Sequence, residues 1–318
     1  MNHRFTAYFL LLIVSIIWGV AGPVIKFTLS SFPPVIFLTY RFALASALGA
    51  ALWAVRPPKL RLNTSTIPHI VLHSVLAVPL GLGLLFFGFD KTSSLTGTVI
   101  SATGPIMVAI AGMILLGEHI TKPERMGIAL ALLGTLIVTV GPIVGGNGHA
   151  FISLEGNLLI LASLLSDAIA TVIAKVSLRE RVPAIALTNI SFIIGFLCFL
   201  PFLFTSYSLS EVITTIANAP LSAHLGVLYM AFLSGTLAYT LQKLAMKTIE
   251  VGEVAIFNYL FPIWAAPLAL FWLGEKITLP FVVGAAVIAT GVVIAEHKRR
   301  QKQKRIVPMP PHLRRHRR

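Results

Sequence analysis

Two ionisable side chains stand deep inside apolar runs of this sequence: Arg41 within 33–55 and Asp167 within 156–177. If those runs are membrane helices, each charge costs about 2.5–3.5 kcal/mol at the helix centre on insertion scales and needs a reason to be there. Asp167 could take up and release a proton during transport, which makes proton coupling possible. Arg41 offers a partner for Asp167, or a planar fork for an anionic group on a solute. The structural alternative is that both are fixed ions holding the chain in register. Lys26, Lys175 and Lys243 lie nearer the ends of their runs, where long stems reach the headgroups, so solvation is their default.

Ser101 and Asn258 can hydrogen-bond a solute or a neighbouring helix. Trp18 lies mid-run beside Gly19 and Gly22-Pro23, away from the interfacial belts where tryptophan concentrates. With Tyr239, Tyr259 and Trp264 it would give aromatic surface to an apolar or cationic solute, or else pack. His69 and His73 stand at i, i+4, but no acidic or cysteine companion lies near, so no metal site is expected. No P-loop, G-x-S-x-G elbow, HExxH or paired-carboxylate motif occurs. Catalytic residues, a cofactor and work driven by bound nucleotide are therefore not expected.

The elements that position these residues must be membrane helices. Of the 318 residues, 56% are hydrophobic and only 11% charged, with a mean hydropathy of +0.88. A soluble domain carries about 25% charged residues. Apolar runs of spanning length cover 6–27, 33–55, 67–89, 94–116, 124–142, 156–177, 183–205, 221–243, 252–273 and 279–296, separated by short breaks rich in Pro, Gly or charge. Ten spans with both termini in the cytoplasm satisfy the loop charges. Arg4, Arg56, Lys59, Arg61, Lys122, Arg125, Arg179, Arg181 and Lys247 then fall inside, against Lys26, Lys91 and Lys276 outside. The net charge of +14 is concentrated beyond the last span, at Lys298–Arg305 and Arg314–Arg318. A disordered cytosolic tail touching anionic lipid accounts for it, and nucleic acid is not an expected partner. Cys198, the single cysteine, excludes an intrachain disulfide. The apolar stretch after MNHR is too long for a signal peptide and reads as the first span.

The chain also repeats itself. A shift of 157 residues lays GPIMVAIAGMILLGEHIT (104–121) on FPIWAAPLALFWLGEKIT (261–278), pairing Pro105 with Pro262, Glu118 with Glu275 and Ser101 with Asn258. Nearer the N-terminus the offset is 149, pairing Lys26 with Lys175, and the difference fits extra residues around 205–220. Five spans per unit invert the second copy in the membrane, an arrangement of secondary carriers. Interruptions at corresponding places, here Gly104-Pro105 and Phe261-Pro262, point to a solute cavity near mid-bilayer. Glu118 and Glu275 sit at span ends and suggest turn and helix-end roles. The expected fold is an all-α membrane protein of ten transmembrane helices in two inverted five-helix repeats, 5–142 and 156–296, followed by the basic tail 297–318.

IIWGVAGPVIKF, TYRFALA and the run from LLFFGFDKTSS through GEHITKPER to GTLIV resemble one EamA repeat, and LAYTLQKLAMK through FWLGEKIT, the counterpart of ILLGEHIT, to VVIA resembles a second. Together they are similar to the ten-helix EamA carriers of the drug/metabolite transporter superfamily. The resemblance implies a pseudo-twofold fold with a central cavity, a prokaryotic plasma-membrane location and export of amino acids, metabolites or toxic compounds. It places Trp18, Pro105, Asp167, Tyr239, Asn258 and Pro262 on cavity-lining helices. The second copy departs from the first, with Asp167 near the place of Trp18 and Asn189 and Ile190 where the first has Tyr40 and Arg41. The expected partners are membrane lipid and a small solute, and a homodimer is compatible with the family. A multidrug or cationic-compound exporter, an importer, a lipid-handling protein and a non-transporting scaffold are the alternatives.

Overall fold

The apolar runs fold as helices because nothing in lipid can take the hydrogen bonds of an open backbone. A computed structural model describes residues 3–55, 57, 66–116, 122–144, 150–249, 254 and 256–306. Glu118, the basic loop residues Arg56, Lys59 and Arg61, and tail residues 307–318 lie outside the described residues.

Helix α1 is His3–Leu29, α2 is Pro34–Val55 and α3 is Thr66–Lys91, with a π-helical stretch at Leu76–Leu82. Helix α4 comes in two pieces, Ser94–Ser101 and Gly104–Leu116. Then follow α5 (Lys122–Val144), α6 (Ala150–Arg179), α7 (Ala184–Ser206) and a short α8 (Leu209–Asn218). Helix α9 is Leu221–Met246, π-helical over Tyr229–Leu237. Helix α10 opens with a 3-10 turn, Ile256–Leu260, and continues as Phe261–Phe271, and α11 is Leu279–Ile306. No strand occurs among the described residues. Among them α1, α2, α3, α6, α7 and α9 are long and apolar enough to cross a membrane. Shorter apolar helical segments, Ser94–Val108, Arg125–Val138, Phe257–Phe271 and Leu279–Gly291, occupy the remaining places in the expected order.

The extra residues around 205–220 are accounted for by α8. Ser208 starts it with a capping box, its hydroxyl accepting from the Glu211 amide while the Glu211 carboxylate accepts from the Ser208 amide at 2.7 Å. Helix α11 continues to Ile306, so residues 297–306 are helical where the sequence suggested a disordered tail. A run of Lys, Arg and Gln has good helix propensity and extends a helix already nucleated by the apolar span.

The two repeats exchange partners. Helix α1 packs on α9 and α10 of the second repeat, and α6 packs on α3 and α4 of the first. Helices α5 and α11 form the most extensive pair, with backbones in contact: a Cβ on Gly134 would lie 2.7 Å from the Gly284 carbonyl oxygen. Small residues allow this close approach, which drives association where lipid removes the hydrophobic term. Residues such as Phe271, Leu279, Leu221 and Ile114 present their side chains outward, as a lipid-facing surface requires.

Candidate functional site

The paired prolines do not kink continuous helices. Pro105 and Pro262 each open the second piece of a broken span, where a missing amide hydrogen costs nothing. The two breaks lie against neighbours from the other repeat. A Cβ on Gly104 would sit 3.5 Å from Asn258 Nδ2, and one on Gly19 of α1 would meet the Trp264 Cβ at 2.6 Å. Ala168 of α6 packs with Met107 and Val108 of α4, in the place Gly19 takes against α10. Ser101 turns its hydroxyl to the Gly97 carbonyl at 2.7 Å, which engages its proton within its own helix. Tyr259 is half-buried and packs on the central apolar cluster.

Both third helices carry a π-helical segment that sequence reasoning missed, and the two correspond at an offset of 154 residues. Gly81 stands over the Leu76 carbonyl as Gly235 stands over that of Met230. The wider turn frees carbonyls for other helices. Ser166 of α6 donates to the Leu76 carbonyl at 2.8 Å, and Trp18 Nε1 of α1 donates to the Ser234 carbonyl at 2.9 Å. Tyr229 returns a bond from its hydroxyl to the Ile17 carbonyl at 2.6 Å. Pro79 marks the first segment and has no counterpart in the second.

Around this level the structure gathers Trp18, Tyr239, Asp167, Lys243 and Arg41. The Trp18 ring meets Tyr239 edge-on at 4.8 Å. Lys243 Nζ lies over the Tyr239 ring at 4.9 Å and is 3% exposed, so it does not snorkel as its place near a run end suggested. Helix α9 runs on to Met246, which keeps Lys243 inside the bundle. Asp167, half-buried on α6, is the opposite charge that acts on Lys243, and it also acts on Tyr239. His73 of α3 engages the Ala170 carbonyl of α6 through Nδ1 at 2.9 Å, leaving His69 to face Glu180 at 3.4 Å.

Arg41 is fully buried, and none of its three guanidinium nitrogens has a hydrogen-bond partner. Among the described residues it forms no ion pair with Asp167. Its guanidinium instead faces Phe86 at 5.0 Å and Phe42 and Phe192 at 5.9 Å. Desolvated cation–π contacts contribute about 2 kcal/mol, comparable with the insertion cost of the charge.

Lys26 and Lys175 also stay within the protein. Lys26 Nζ donates to the Phe89 and Asp90 carbonyls at 3.0 Å, and Lys175 Nζ donates to the Met246 and Ile249 carbonyls. Each thus caps the third helix of its own repeat, at opposite ends of the bundle, as cations near a helix C-terminus do. At the end holding Lys26, Glu275 spans the repeats: its Oε1 accepts from the Ser94 amide at 2.6 Å and its Oε2 from the Leu95 amide at 2.8 Å. Gly274, at φ +64°, makes the turn that presents this carboxylate to the α4 N-terminus.

With this geometry in place, the comparisons agree with one another. The chain is 28% identical over 302 residues to an uncharacterized transporter, YyaM, of Bacillus subtilis (strain 168), covering 93% of this chain and 94% of that one. It is 26% identical over 292 residues to a Salmonella typhimurium protein named "Probable amino-acid metabolite efflux pump", covering 90% and 93% respectively. A crystal structure at 16% identity superposes with a TM-score of 0.63 over 95% of this chain and 98% of its own, which shows the fold. The EamA-like transporter family matches residues 5–140 and 154–295, and the chain belongs to that family.

Proposed function

We propose that the protein is a secondary carrier that crosses the membrane ten times with both termini cytoplasmic, and exports amino acids or related metabolites by alternating access. The observation that carries this reading is the exchange of α1 and α6 between repeats around a polar cluster holding Trp18, Asp167, Tyr239 and Lys243. A two-part body hinged about buried polar groups can expose them to one side and then the other. Helices α4 and α10, broken at Pro105 and Pro262 beside Ser101, Asn258 and Tyr259, supply irregular backbone of the kind that lines a cavity at depth. The relatives named as amino-acid metabolite efflux pumps support the solute class. Asp167 gives the cycle a proton site if it couples to one.

Purified protein in liposomes, loaded with a radiolabelled panel of amino acids, sugars, nucleosides and organic cations, tests the reading. Efflux of an amino acid faster than from protein-free vesicles, and lost in Asp167→Asn, is expected. Transport of organic cations alone would favour a multidrug exporter. Movement of no solute, together with loss of a cellular phenotype on deleting residues 301–318, would replace the carrier with a scaffold acting through its tail.

A further inference from the structure

The carrier reading leaves one feature unexplained: a fully buried guanidinium with no hydrogen-bond acceptor. A structural arginine in lipid ordinarily finds a carboxylate or backbone carbonyls, because its five donors form a fixed fork. Here, among the described residues, Asp167 forms no ion pair with it and acts on Lys243 across a longer distance, and the Leu76 and Ser234 carbonyls at the π-helical segments are taken by Ser166 and Trp18. Arg41 is left with three phenyl rings, which attract its charge without satisfying its protons.

Charge within the cluster is also unbalanced. Arg41 and Lys243 are two cations for the single carboxylate of Asp167. Tyr239 links them: Lys243 lies over its ring, Phe192 stands 5.9 Å from both Tyr239 and Arg41, and Asp167 acts on it from α6. Tyr239 and Asp167 are half-buried, while Arg41 and Lys243 are buried. A solute resting against Tyr239 would have Asp167 and both cations around that ring.

Resting on the carrier reading, we infer that the solute bears one net negative charge, its carboxylate held by Arg41 with Lys243 adding a second cation. A carboxylate is the group that satisfies a planar fork with two parallel bonds, and a net charge of one neutralises the cluster. Two chemistries share this feature. An acidic amino acid would place its ammonium on Asp167, whereas a simple carboxylic acid would leave Asp167 to Lys243.

The experiment is thermal stabilisation of the purified full chain by L-aspartate, L-lactate, L-alanine and L-alaninamide at matched ionic strength, in wild type, Arg41→Met and Lys243→Met. The two anions are expected to half-saturate at concentrations at least tenfold below alaninamide, and each substitution is expected to remove that preference. Aspartate acting without lactate assigns the ammonium to Asp167, and both acting assigns recognition to the carboxylate alone. If Arg41→Met does not fold, Arg41→Lys keeps the charge, loses the fork and should still weaken anion binding about tenfold. A preference for alanine or alaninamide, or an anion preference that survives both substitutions, overturns the inference while leaving the carrier reading in place. No response from any compound, with no solute moved in liposomes, tells against the carrier reading itself.

Discussion

Removing the Glu275 carboxylate should open one end of the bundle. It accepts two backbone amides of α4, at 2.6 and 2.8 Å, and so ties the second repeat to the first. Hydrogen bonds to a charged group contribute about 1.5–3 kcal/mol each. The partial positive charge of the α4 N-terminus adds about 0.3–1 kcal/mol. Glu275→Gln keeps one carbonyl acceptor and gives up the charge, a loss of about 2 kcal/mol, while Glu275→Ala loses both bonds, about 3–6 kcal/mol. On the alternating-access reading this contact breaks when the end opens, so the loss falls on the shut conformation. About 2 kcal/mol changes an equilibrium constant roughly 30-fold. In a Cys198→Ser background, a cysteine at Ser101, two turns below the α4 N-terminus and half-buried, reports the opening. Its reaction rate with a membrane-impermeant maleimide should rise roughly 30-fold in Glu275→Gln. An unchanged rate with a lowered melting temperature would show that Glu275 holds the fold and not the gate. An unchanged rate and melting temperature would refute the energetic reasoning as well.

Other substitutions test separate parts of the account. Gly134→Leu drives a side chain into the α11 backbone and should cost about 1–3 kcal/mol or more, read as a lower melting temperature in detergent. Trp18→Phe keeps the ring on Tyr239 but removes the bond to the Ser234 carbonyl, with an expected loss of about 1 kcal/mol by thermal denaturation. Both amide atoms of Asn189 are buried against Gly49 without partners, so Asn189→Leu should raise the melting temperature, by about 1–2 kcal/mol of stability. Outside the membrane helices, hydrogen bonds from Ser208 hold the Glu211 carboxyl below its usual 4.5. A depressed carboxylate pKa stabilises α8 above that usual value, and the support fades as pH falls through the lower folded value. Amide exchange in 209–218 should therefore quicken under acid relative to α7, and pH-independent protection would contradict the capping box.

Much of the fold was legible because lipid leaves the chain few options. Apolar length and Pro, Gly or charged breaks located most of the helices to within a few residues, as α2 at Pro34–Val55 against the expected 33–55 shows, although α6 and α11 extend beyond their apolar runs. The pairing of Pro105 with Pro262 correctly marked interrupted spans, but it could not tell a kink from the N-terminal turn of a new helix, which the residues before each proline decide. The π-helical segments escaped because their signal is a spacing of hydrogen bonds. Pro79 betrays one, while the other carries only Ser234, Gly235 and Thr236. Lys243 was misplaced for a geometric reason: distance along a helix to its end does not say which way a side chain turns, and this one turns onto Tyr239. Arg41 was recognisable as an expensive charge, yet its lack of a partner is a fact of three dimensions.

The most direct measurement of alternating access is a pair of distances in one protein reconstituted in lipid. Spin labels at Asp90 and Lys276 report one end across the repeats, and labels at Ile67 and Lys247 report the other. On adding the solute that the liposomes export, the account predicts reciprocal change, one distance lengthening as the other shortens, with Glu275→Gln biasing both in the same sense. Two distances that stay fixed while solute crosses, or that lengthen together, would contradict a carrier whose halves rock about the cluster.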